Sequence, residues 1–218
     1  QLIELGLVHS DVETVVGYGL DNFIKNPTLK DEKLVFEEGS KTSLNTDVVS
    51  NSKNPFSNEG GLKLLNGNVG KSVIKISALK EDNMYIKAPC VVFNSQEELQ
   101  EEFKKGNLEK DFIAVVRYQG PKSNGMPELH KLMPPLGVLQ EKGFKVAIVT
   151  DGRMSGASGK VASAIHLYPE AVEGGIIAKI EDGDLLEIDI KNGTLNLFVE
   201  DEVLNYEELS EGSLDIIS

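Results

Sequence analysis

The sequence predicts an α/β protein built on one mixed β-sheet or barrel with flanking helices. Three observations carry that expectation. FIAVVRY (112–118) and KVAIVTD (145–151) are continuous apolar runs, the text of strands covered on both faces. A well-signalled helix, SQEELQEEFKKG (95–106), precedes the first of them. The last third then changes period. Residues 174–202 read as three short strands with turns at Asp182–Gly183 and Asn192–Gly193, both hairpin-type dipeptides. Strand–helix units followed by a hairpin-rich end do not make a simple doubly wound nucleotide domain.

Taken in order, residues 1–25 read as partly helical, from Leu2, Leu5, Leu7 and Val8 and a second apolar set at Val12, Val15, Val16 and Leu20, with Gly17 and Gly19 breaking the regularity. From Glu37 to Gly61 the chain is dense in Ser, Asn, Gly and Lys, the composition of a linker or a functional excursion. Residues 1–61 are therefore expected to be a lead-in arm and polar linker that packs on something else, and 62–218 a mixed β/α domain. Within the latter, SVIKISAL (72–79) and APCVVFNS (88–95) read as strands. The helix at 95–106 has Ser95 as its cap, Glu98 three residues later, and Leu99 and Phe103 on one face. MPELHKLMPPLGVLQEKG (126–143) reads as a helical passage interrupted at Pro134 and Pro135, and SGKVASAIHL (158–167) as the start of a short helix. A polar helix is expected at 201–212.

The 218 residues are 40% hydrophobic, enough for one sizeable core plus an arm. The net charge is -13, from 35 acidic against 22 basic residues, a field that repels nucleic acid and anionic membranes. No stretch approaches the roughly 18 apolar residues of a membrane helix. The start, QLIELGLVHSDVE, has no basic region ahead of an apolar run, so it is not a signal peptide. It also lacks an initiator Met, and the chain is expected to have been cut from a longer protein. The single cysteine, Cys90, has no partner for an internal disulfide and cannot hold an iron–sulfur cluster alone. At the start of an apolar run it reads as a buried thiol, and a reducing cytoplasm is the expected location.

Chemistry has two natural places. RYQGPKSNGMPELH (117–130) and TDGRMSGASGK (150–160) each follow a buried strand, and loops at strand carboxyl ends are where α/β folds place ligands. In the second loop, Gly156 and Gly159 permit close backbone approach. The amides of Ser158, Gly159 and Lys160, with the Lys160 charge, suit an anion, although Val161 breaks the Walker spacing. A glycine-rich turn with no ligand is the equal alternative. Glu128 is open to three readings: metal ligand, general base, or a solvated residue early in a helix. His130 and His166 have no zinc-like spacing and read as local hydrogen-bonding groups. Asp182, Asp184, Asp189 and Glu181 read as solvated turn residues. Arg117 and Arg153, each beside the expected cleft, are the stronger polar candidates.

At these loops a resemblance enters. VRYQGPKSNGMPELHKLMPPLGVL (116–139), VTDGRMSGASGKVASAIHLYPEAVEGG (149–175), GGLKLLNGNVGKSVIKISA (60–78) and IIAKIEDGDLLEIDIKNGTLNLFV (176–199) are similar to the dehydratase family that includes dihydroxy-acid dehydratase and 6-phosphogluconate dehydratase. GRMSGASGK, in place of GRFSGG, favours the phosphogluconate branch. The resemblance implies a two-domain subunit. Its amino-terminal domain holds an iron–sulfur cluster through three cysteines. Its carboxy-terminal domain is a mixed β-barrel with flanking helices, resembling the swivelling domain of aconitase-type enzymes. This chain matches only that second region and a lead-in, so the implied partners are the amino-terminal cluster domain of the same full-length chain, a phosphorylated sugar acid and a second subunit of a homodimer. The chain alone is then expected to be inactive.

The implied reaction is dehydration of 6-phospho-D-gluconate to 2-dehydro-3-deoxy-6-phospho-D-gluconate. In the family the serine of DGR.SG, here Ser155, takes the C2 proton. The glutamate of GMPE, here Glu128, is a magnesium ligand, and the cluster's open iron binds the C3 hydroxyl. Arg153, Ser158 and Lys160 are the expected substrate-binding residues. The alternatives are a dihydroxy-acid or unphosphorylated sugar-acid dehydratase, or a non-catalytic binding or regulatory domain.

Overall fold

The computed structural model describes residues 1–57, 60–155 and 159–198. The chain forms two compact units, residues 1–59 and 60–218.

In the first unit, β1 (Glu13–Thr14) pairs with β2 (Gly17–Tyr18), and β3 (Lys25–Lys30) pairs in antiparallel register with β4 (Lys33–Glu38). The β3–β4 turn places Asp31 and Glu32 at positive φ, 48° and 61°, as a tight hairpin requires. The helical reading of residues 1–25 is corrected: the segment consists of turns, the β1–β2 hairpin and one 3-10 turn at Asp21–Ile24. Gly6, Gly17 and Gly19 sit at φ of 66°, 110° and 87°, which interrupts any helix. Polar residues 43–54 close local turns on their own main chain. The Asn45 Oδ1 accepts from the Asp47 N–H, and the Asn51 Oδ1 from Lys53 and Asn54. No described residue of this unit is buried.

The second unit is an eight-stranded mixed barrel. Its strands are β5 (Leu62–Gly67), β6 (Gly70–Lys75), β7 (Tyr85–Phe93), β8 (Phe112–Val116), β9 (Val146–Thr150), β10 (Ala162–Tyr168), β11 (Leu185–Asp189) and β12 (Thr194–Phe198). Around the barrel they run β10-β6-β5-β12-β11-β7-β8-β9, and β9 closes on β10. β7, β8, β9 and β10 are parallel neighbours, the other pairs being antiparallel except β12 with β5. The helices α1 (Gln96–Lys104), α2 (Pro121–Asn124) and α3 (Met133–Glu141) lie in the crossovers.

Two apolar clusters explain the unbroken runs seen in sequence. In β8, Ile113 and Val115 join Leu65, Ile74, Ile86, Leu186 and Leu195 in one core. Phe112, Ala114 and Val116 belong to the other, with Leu99 of α1 and Leu136 and Leu139 of α3. Alternate residues thus serve two cores, so every position of β8 and of β9 is buried.

The α1 helix forms as read, with the Ser95 Oγ accepting the Glu98 N–H at 3.2 Å. Three readings are corrected. Pro134 and Pro135 do not interrupt a helix but open α3, where the missing proline N–H costs nothing. Residues 162–168 are a strand, β10, held between β9 and β6. A short apolar run does not distinguish helix from strand, and here the neighbouring strands decide. The first of the three terminal strands is instead a 3-10 turn at Ile176–Lys179, while the other two are β11 and β12. The helix expected at 201–212 lies outside the described residues. No helix among the described residues is long and apolar enough to cross a membrane.

Candidate functional site

β8 and β9 are parallel and adjacent, so the loops after Val116 and after Thr150 open on the same end of the barrel. Asp151, at the first position beyond β9 and only 1% exposed, ties three segments together. Its Oδ1 accepts the Gln119 N–H at 2.8 Å, and its Oδ2 accepts those of Tyr118 at 3.2 Å and Ala171 at 2.9 Å. Tyr118 turns through φ 62° to present its N–H there. Gly152 follows because a Cβ would lie 2.7 Å from the Gln119 Cβ and 2.9 Å from the Leu129 Cδ1. A second buried carboxylate, Glu170, accepts the Lys122 N–H at the amino end of α2, and a side chain at Gly120 would collide with it. Neither Asp151 nor Glu170 is among the candidates that the sequence singles out. The available signal was an acid directly after a buried strand, where main-chain donors turn inward.

On this scaffold Glu128 becomes a node. Its Oε2 accepts Arg153 Nη1 at 2.8 Å, while its Oε1 accepts the N–H of Ser155 at 2.9 Å and of His130 at 3.1 Å. Arg153 also donates through Nε to the Met126 carbonyl at 2.8 Å, and the Leu129 N–H returns to the Arg153 carbonyl at 3.2 Å. The two loops are thereby joined by a short parallel bridge at Glu128 and Arg153. The Ser155 Oγ lies 3.4 Å from the His130 Nδ1. Three sequence-predicted residues, Glu128, Arg153 and Ser155, therefore meet. His130 joins them, although its sequence context had suggested no particular partner.

The other candidates are placed elsewhere. Ser158 lies outside the described residues. Lys160 is exposed, its carbonyl accepts from Gln140 Nε2, and among the described residues the ion partner of Glu128 is Arg153. Gly159 is buried, and a Cβ there would lie 3.1 Å from the Ala78 Cβ. Arg117 turns away to donate to Asn94 Oδ1 and to the carbonyls of Ala178 and Ile180, lining a cavity of about 450 Å³ with Lys179 and Glu181. Asp184 and Asp189 close local turns by accepting the N–H of Glu181 and Asn192, and Asp182 accepts the N–H of Val92 in β7.

Among the described residues no group of three or more His, Cys, Asp or Glu side chains is arranged to hold a metal ion. Glu128 offers one oxygen, Oε2, with a lone pair beyond its single bond, which suits one position around a hard cation. Cys90 is unsuited to an iron–sulfur cluster. It is buried in the barrel core, and burial, reinforced by the charges of Asp184 and Asp182, pushes its thiol up to about 12.

The family model for the carboxy-terminal region of dihydroxy-acid/6-phosphogluconate dehydratases matches residues 47–212. The chain belongs to this dehydratase family. It is 50% identical over 204 residues to the phosphogluconate dehydratase of Escherichia coli K12, covering 94% of this chain and 34% of that one. The phosphogluconate dehydratase of Rhizobium meliloti is 54% identical over 205 residues, with the same two shares, 94% and 34%. The dihydroxy-acid dehydratase of Caldanaerobacter subterraneus is 37% identical over 206 residues, covering 93% of this chain and 34% of that one. The chain thus spans about a third of the length of the family members it matches.

Proposed function

We propose that this chain is the carboxy-terminal part of a hydro-lyase that converts 6-phospho-D-gluconate to 2-dehydro-3-deoxy-6-phospho-D-gluconate and water. The observation that carries the reading is the Glu128 node, where one carboxylate oxygen accepts the Ser155 N–H at 2.9 Å and the other faces Arg153 at 2.8 Å. That arrangement holds the main chain of Ser155 against a carboxylate that is itself paired with a cation, on the loops that follow β8 and β9. Greater identity to phosphogluconate dehydratases, 50% and 54%, than to a dihydroxy-acid dehydratase, 37%, supports the choice of substrate.

In this reading Ser155 is the base that takes the proton from C2 of the sugar acid. A serine oxygen serves as a base only when its surroundings favour the charged form, and in this reading a cation bound at Glu128 would supply that charge. Glu128 supplies one ligand to a magnesium ion, Arg153 holds substrate oxygens, and Ser158 and Lys160 take the distal phosphate. Bound magnesium would neutralise the substrate carboxylate and make C2 more acidic, and an iron–sulfur cluster would assist departure of the C3 hydroxyl. The cluster ligands are assigned to the amino-terminal domain of the full-length chain, since Cys90 does not fit the role. Residues 1–61 are assigned to contact with that domain, and the barrel to the part of an aconitase-type swivelling domain. The full-length protein is assigned to a cytoplasmic homodimer.

The test is steady-state kinetics of the full-length enzyme on 6-phosphogluconate, gluconate and 2,3-dihydroxy-isovalerate, for wild type, Ser155→Ala, Glu128→Gln and Lys160→Ala. Ser155→Ala should remove most turnover with iron content unchanged. Glu128→Gln should raise the magnesium requirement, and Lys160→Ala should raise KM for the phosphorylated substrate alone. Preference for the branched dihydroxy acid overturns the substrate, and near-normal turnover by Ser155→Ala overturns the mechanism.

A further inference from the structure

We infer that His130 is a positioning residue for Ser155, holding its Oγ through the imidazole Nδ1. The inference rests on the reading of Ser155 as the base. Both residues are fixed from their main chains by the same atom: the Glu128 Oε1 accepts the N–H of Ser155 at 2.9 Å and that of His130 at 3.1 Å. Leu129 and Leu132, on either side of His130, are fully buried, so the 3-10 turn His130–Leu132 is anchored while the exposed imidazole projects beside the serine. The two side chains then face each other with 3.4 Å between Oγ and Nδ1. That is at the long end for a hydrogen bond between these atoms.

The chemistry needs this partner. With its proton on Nδ1, His130 can donate to Oγ and fix the direction in which the serine oxygen presents its remaining lone pairs. Arg153 directs its Nε to the Met126 carbonyl and its Nη1 to the Glu128 carboxylate. The imidazole, by contrast, faces Oγ and is placed to give that oxygen a fixed direction. The contribution can be separated from the metal site, because replacing the imidazole leaves the His130 N–H to Glu128 in place.

The experiment uses the full-length enzyme with its iron and magnesium contents measured, and 6-phosphogluconate as substrate. His130→Ala should lower kcat by about 10- to 100-fold, the weight of one hydrogen bond to a charged oxygen, with KM changed less than about threefold. His130→Asn, whose amide N–H falls near the position of Nδ1, should recover most of the lost kcat. In the Ser155→Ala background, His130→Ala should cost nothing further, since the partner is gone. If Ser155→Ala is inactive while His130→Ala keeps kcat within about twofold, the inference fails and the serine reading stands. Near-normal turnover by Ser155→Ala removes the serine reading itself. Equal losses in His130→Ala and His130→Asn, a change confined to KM, or a fall in bound metal would each overturn the positioning role.

Discussion

Replacing Asp151 by Asn changes one buried atom and should loosen the whole rim of the barrel. The carboxylate receives main-chain N–H bonds from Gln119, Tyr118 and Ala171 at 2.8, 3.2 and 2.9 Å while only 1% exposed. An asparagine keeps one acceptor oxygen. Its best orientation turns that oxygen to Tyr118 and Ala171 and sets its NH2 against the Gln119 N–H, donor facing donor. Bonds to a charged group are worth about 1.5–3 kcal/mol and neutral ones about 0.5–1.5 kcal/mol, and a buried unsatisfied donor costs about 1–3 kcal/mol more. Relief of the desolvated charge offsets several kcal/mol of that loss. The net destabilisation is then about 2–4 kcal/mol. At an m-value of about 2 kcal/mol/M the urea midpoint falls by about 1–2 M, read by circular dichroism. Asp82→Asn, at an exposed 3-10 turn, is the control and should move stability by less than about 0.5 kcal/mol. If Asp151→Asn is equally silent, the three segments are held by something other than this carboxylate.

Two further outcomes follow from the packing. Because the Cys90 thiol is pushed up to about 12, above the range it has in an unfolded chain, its contribution to stability is complete below about pH 8.5 and is lost as pH rises toward 12. Unfolding midpoints measured from about pH 7 to pH 10.5 should decline more steeply in wild type than in Cys90→Ala, and an aromatic disulfide reagent should label Cys90 only after denaturation; parallel pH slopes, or rapid native labelling, would contradict this. Gly152→Ala places a methyl 2.7 Å from the Gln119 Cβ and 2.9 Å from the Leu129 Cδ1, and should cost about 1–3 kcal/mol in urea unfolding, whereas a wild-type midpoint would mean the loops have slack.

Where local chemistry decides structure, the sequence was readable. The Ser95 cap, the apolar runs of β8 and β9, and the glycines at positions 183 and 193 each specify their own geometry. Where partners decide, reading failed. ASAIHLY reads as the start of a helix because nothing in it announces that β10 lies between β9 and β6. The prolines of α3 were misread because a helix start was mistaken for an interior. The amino-terminal apolar residues mimicked a helix although no described side chain before residue 58 is buried. For the site, loop position singles out Glu128 and Arg153 and motif resemblance adds Ser155, and the structure sets these three together. Asp151, Glu170 and His130 were not picked out, because their roles depend on main-chain donors and neighbours contributed by segments 20 to 48 positions away. Such non-local roles leave no spacing in the text.

The closure of β9 on β10 has a consequence for how the polypeptide behaves in crowded solution. A closed run of strands leaves little margin for another molecule to extend, and in the second unit the narrowest join is the single pair Thr194 and Asn66 between β12 and β5. The two-stranded ribbons of the first unit are different: β3 and β4 each keep an open margin, and Leu29, Leu34 and Phe36 stand 73%, 62% and 60% accessible beside it. Strand addition by another molecule is therefore expected, among the described residues, first at the margins of β3 and β4.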